Sequence, residues 1–120
     1  MHSEWQIHKG KRFLFCKYAN LADDELQAEV DYNEATITAQ PLDSVLVLLD
    51  VTGIAETRKH IGMFIEMIPR TKKHSHKSAV IGIGNRHRQA LFDAVMRITR
   101  GNMVPFDDVE KAKDWLVEEE

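Results

Sequence analysis

Apolar and polar positions fall into blocks along the chain, and the period of each block predicts an element. Trp5-Gln6-Ile7-His8 alternates apolar and polar, Lys9-Gly10-Lys11 is a turn signal, and 12–18 (RFLFCKY) is aromatic and apolar. Two such runs around a tight turn predict a β-hairpin. Asp23, Asp24 and Glu25 then place acids where a first helical turn favours them. Leu26, Val30 and Ile37 recur at roughly helical spacing, so a helix is predicted over 23–38, its end weakened by β-branched Thr36, Ile37 and Thr38.

The run 44–51 (SVLVLLDV) is continuously aliphatic, the pattern of a strand covered on both faces. Ile61, Phe64, Ile65 and Ile68 form one helical stripe, and Pro69 falls near the end of that helix, where it favours termination, with a kink as the alternative. The run 78–83 (SAVIGI) is a second buried-type strand, with Asn85 as N-cap for a helix from Arg86. Leu91, Ala94, Val95 and Ile98 give that helix its stripe, and Gly101 its stop. The run 103–106 is a short strand, put at a sheet edge by Pro105. Asp107 with Glu110 fits a capping box for a last helix, with Val109, Ala112, Trp115 and Leu116 inward.

The order hairpin, α, β, α, β, α, β, α predicts an α/β fold. The sheet is expected to be mostly parallel and flanked by helices, with the first strand antiparallel at one edge. A chain of 120 residues is expected to form a single domain over 1–120. At 43% hydrophobic and 29% charged, the composition excludes disordered, collagenous and disulfide-dense classes. The lone Cys16 cannot form an internal disulfide, and no zinc spacing is present. No aliphatic run is long enough to span a bilayer, and the N-terminus lacks signal-peptide blocks. The chain is therefore expected to be cytoplasmic and not transmembrane.

The net charge of −3 is unevenly spread. Residues 1–55 carry 4 basic and 9 acidic side chains, 56–100 carry 10 and 3, and 101–120 carry 2 and 7. The predicted topology splits the basic middle. Lys72, Lys73 and Lys77 belong to the amino edge of the sheet, and Arg86 and Arg88 to the carboxyl edge. With no helix-turn-helix or RNP-type motif, nucleic acid is not an expected partner.

Ligands and partners of open parallel sheets meet the loops at the carboxyl ends of the strands. Two such loops stand out: Asp50-Val51-Thr52-Gly53, and Gly82-Ile83-Gly84-Asn85-Arg86. The first offers a carboxylate and a hydroxyl. The second offers backbone N–H groups at a helix start, with Arg86 and Arg88 adding positive charge. Gly82-x-Gly84 is not a dinucleotide fingerprint, because His87 stands where the third small residue is needed. His74 and His76 have no Cys, Asp or Glu nearby to complete a metal site, and no cofactor is expected. Thr52 with Asp50 and a histidine such as His60 or His87 carries no signature of nucleophilic catalysis. Met63, Phe64 and Met67 on one helix, and Phe92 and Met96 on the next, either widen the core or form an adaptable apolar surface for a ligand or partner.

The segments LVLLDVTG (46–53), KSAVIGIGNRHR (77–88) and FDDVEKAKDWL (106–116) resemble the SpoIIAA-like proteins. These belong to the wider STAS group (sulphate transporter and anti-sigma factor antagonist). The resemblance covers nearly the whole chain and implies a small α/β domain with an N-terminal hairpin. In the anti-sigma factor antagonists the loop after a central strand resembles Asp-Ser-Ser-Gly, and phosphorylation of its second Ser switches partner binding. The matching residues here are Asp50, Val51, Thr52 and Gly53. The resemblance thus implies a non-enzymatic regulatory module with a protein partner, centred on this loop and on Gly84, Asn85 and Arg86. The alternative is a carrier of a lipid or small apolar ligand.

Overall fold

The computed structural model describes residues 1–119; Glu120, the end of the expected domain, lies outside them. The elements run β1 (Glu4–His8), β2 (Lys11–Lys17), α1 (Asp23–Thr38), β3 (Val45–Asp50), α2 (Arg58–Thr71), β4 (Ser75–Ile81), α3 (Arg86–Thr99), β5 (Val104–Phe106) and α4 (Val109–Val117). The strands form one sheet in the order β1-β2-β3-β4-β5. β1 and β2 are antiparallel, and every other pairing is parallel. The expected α/β architecture is therefore present, with the antiparallel strand at one edge and Pro105 in the strand at the other.

The chain steps across the sheet in one direction, so crossovers of the same hand put α1, α2 and α3 on one face. α4 returns across the other. The period of 2 along each strand feeds both layers. Leu14, Cys16, Val45, Val47, Leu49 and Val80 pack toward the first three helices. Phe13, Leu48 and Ala79 pack toward Ala112, Leu116 and Val117 of α4.

Several local expectations are corrected. α2 continues through Pro69 to Thr71. The ring is exposed, and the helix loses one internal hydrogen bond without ending. β4 begins at Ser75 and stops at Ile81, so Gly82 and Ile83 belong to the following loop. The cap of α4 is Asp108, whose carboxylate accepts from Glu110 N–H at 2.8 Å, in place of Asp107. α3 ends on Arg100 in the left-handed region (φ 54°). Gly101 comes one residue later, where a Cβ would press on the Met96 sulfur.

A polar network penetrates the α1 side. Glu29 and Asn33 are 1% and 0% exposed, on the same helical stripe as Leu26, Val30 and Ile37. Glu29 accepts from Ser3 N–H at 2.7 Å and from His2 N–H at 3.1 Å. Asn33 donates to Ser3 Oγ at 2.8 Å and to Tyr18 Oη at 3.0 Å. The network pins the N-terminal segment beside β2. Burial pushes the Cys16 thiol up to about 12, which keeps it protonated and unreactive.

Candidate functional site: the carboxyl edge of the sheet

Asp50 ends β3 opposite Lys17 on one neighbouring strand and Ile81 on the other. The loops after β2, β3 and β4 therefore meet at one edge. The 50–53 loop is closed on itself: Asp50 Oδ1 accepts from Thr52 N–H at 3.0 Å and from the Thr52 hydroxyl at 2.7 Å. It is also tied to both neighbours. Asn20 N–H donates to Thr52 O at 2.8 Å, and Val51 N–H donates to Ile81 O at 3.0 Å. Thr52 and Gly53 nevertheless remain exposed.

Two glycines allow this close assembly. Gly53 has φ 72° and lies against the Asn20 side chain. Gly82 has φ 93°, and a Cβ there would collide with the backbone and hydroxyl of Thr52. Both dihedrals belong to the region that L side chains rarely adopt. The predicted meeting of the two loops is thus a direct contact of Gly82 with Thr52.

Arg88 joins the loops beneath the surface. Its Nε donates to Ile83 O at 2.8 Å, and its Nη1 to Ile54 O at 2.7 Å. Its Nη2 donates to Val51 O at 2.8 Å and, more weakly, to Gly82 O at 3.4 Å. Glu56 stands beside it at 3.6 Å and also pairs with His87 at 2.8 Å. The sequence reading weighs Arg88 only as added charge, yet it is the side chain that organises this edge. One signal pointed to it: a cation in the first turn of a helix opposes the helix dipole and needs local acceptors.

The remaining expected residues divide. Asn85 spends its side chain on Arg88 N–H at 2.9 Å, capping α3. Gly84, with φ 83°, leads into that cap. Arg86 is exposed and has no hydrogen bond or ion pair among the described residues. Neither histidine bonds to Thr52. His87 holds Glu56, while buried His60 accepts from Asp23 N–H at 3.1 Å and approaches Ala55 O at 3.3 Å. His74 and His76 lie at the opposite edge, bonded to Gln40 O at 2.8 Å and Asp43 at 2.9 Å. Among the described residues no group of three or more His, Cys, Asp or Glu is arranged to hold a metal ion.

The apolar set also divides. Met63 and Met67, 6% and 2% exposed, are core residues, and Tyr18 Oη donates to the Met67 sulfur at 3.6 Å. Of the two alternatives read for them, core or open surface, they take the first. Phe64, Phe92 and Met96 line a cleft of about 110 Å³ between α2 and α3.

No described helix is long and apolar enough to cross a membrane. No family model, curated protein or solved structure matches the chain.

Proposed function

We propose that the chain is a non-enzymatic binding module that presents the 50–53 loop, together with Gly84, Asn85 and Arg86 of the next loop, to a protein partner. Phosphorylation of Thr52 switches that binding. One observation carries the reading: an exposed hydroxyl sits on a loop bonded to β2, β4 and α3. Such a loop meets a partner with little ordering cost, which favours recognition. The resemblance of residues 50–53 to the anti-sigma factor antagonists supports the same role.

The chemistry of the switch follows from the contacts. A phosphate adds about −1.5 to −2 charges. It replaces a hydroxyl that now donates to Asp50 at 2.7 Å, so the two anions repel and that bond is lost. The Arg88 guanidinium, bonded to Val51 O at 2.8 Å, is the positive group held against the loop. The test is phosphate mapping of Thr52 in protein from its native cells, with affinity capture on wild type, Thr52→Val and Thr52→Glu. Wild type and Thr52→Val are expected to retain the same partner, and Thr52→Glu to retain at least tenfold less. Unphosphorylated Thr52 together with unchanged capture by Thr52→Glu would refute the switch.

A further inference from the structure

α3 packs Phe92, Val95 and Met96 against the core without burying them fully. Among its described residues Thr99 is the buried one, while Leu91, Phe92, Val95 and Met96 are all half-exposed. The space beneath it is the cleft of about 110 Å³, floored by Leu49 and Val80 and walled by Ile61, Phe64, Phe92 and Met96. We infer that this cleft binds one small, neutral, apolar molecule of about the bulk of a six-membered ring. The site is independent of the Thr52 reading.

Size and charge carry the inference. An apolar cavity of ~150 Å³ holds one benzene-sized molecule, so a somewhat smaller cleft open to solvent takes a single ring or a short branched chain. The charged residues on its lining are Glu56 and Arg88. The Arg88 guanidinium is spent on backbone carbonyls, and Glu56 on His87 and Arg88. A charged ligand would lose its water and find no free counter-ion there. A neutral apolar ligand loses little and covers half-exposed aromatic and methionine surface.

Methionine methyl spectra of the full chain provide the test, with toluene as the neutral probe and benzoate as its charged counterpart. Met96 and Met103 line the cleft. Buried Met63 and Met67 and exposed Met1 are internal controls. Toluene is expected to shift Met96 and Met103 saturably, leave Met63 and Met67 in place, and bind at least tenfold more tightly than benzoate. Val95→Phe, or Leu91→Phe if that variant fails to fold, fills the cleft and is expected to weaken toluene at least tenfold, the Met63 and Met67 signals reporting the intact fold. The inference is overturned by unsaturable shifts at Met96, by equal binding of benzoate, or by undiminished toluene binding in a folded filling variant. Met96 signals that move with protein concentration alone would also overturn it, assigning the cleft to a second copy of the chain.

Discussion

Replacing Arg88 by methionine keeps an unbranched apolar stem and removes every donor of the guanidinium. The carbonyls of Val51, Ile54 and Ile83 then lose hydrogen bonds of 2.8, 2.7 and 2.8 Å, and that of Gly82 a longer one. A hydrogen bond from a charged donor contributes ~1.5–3 kcal/mol. The bonds share one group at an edge where water restores part of the loss, so they do not sum. The expected destabilisation is ~3–4 kcal/mol. With a urea m-value of ~1.5 kcal/mol/M, the midpoint falls by roughly 2 M. The loss is local in origin, so amide exchange should rise first at Thr52, Ile54 and Asn85, whose N–H groups are bonded within the two loops. Arg88→Lys is expected to recover less than half, because one ammonium cannot reach acceptors spread like a planar fork. Destabilisation of Arg88→Met below ~1 kcal/mol, or exchange that rises evenly over the sheet, would refute the role given to Arg88.

Two further outcomes follow from the geometry. Gly82→Ala puts a Cβ on the Thr52 backbone at φ 93° and is expected to cost ~2–4 kcal/mol. Gly10→Ala, at φ 83° with open space around it, should cost about 1 kcal/mol, so equal thermal shifts would contradict the close approach of the loops. Burial opposes the charge of Glu29, but hydrogen bonds from Ser3 and His2 outweigh it and hold its pKa below 4.5. A depressed folded pKa gives stability that is present above the unfolded value and lost as pH falls through the folded one. Glu29→Gln should therefore be less stable than wild type by ~1–2 kcal/mol at pH 7, with the gap narrowing as the pH is lowered from 7 toward 3. A gap in urea midpoints that stays constant between those pH values would refute the account.

Patterns with a fixed period were legible in the sequence, and contacts between distant segments were not. The run 44–51 announces a strand covered on both faces, and the structure divides Leu48 from Leu49 accordingly; the apolar run 12–18 announces a strand, whose Phe13 and Leu14 also part to opposite faces. The two loops at the carboxyl edge were legible because the order of βα units puts strand ends together. Arg88 was legible only as a first-turn cation in need of acceptors; its partners are carbonyls at 51, 54, 82 and 83, which no side-chain pattern records. The choice between core and open surface for Met63 and Met67 was not legible for a related reason. A wide apolar arc on α2 meets α1 on one flank and the cleft on the other, and spacing alone does not say which flank faces which neighbour. Asp107 and Asp108 are adjacent potential caps, and side-chain type alone does not choose between them.

The one-way march of strands also fixes an order of completion during synthesis. Each βα unit from β2 to α3 lays its helix on the same face as its predecessor, so that side closes progressively as the chain emerges. The other face waits. Phe13 and Leu48, buried against α4 in the finished protein, have no cover until residues 109–117 are made. A ribosome that stalls before that point carries a nearly whole sheet with one apolar side still open to water, and the last nine residues of regular structure act as the lid on everything built before them.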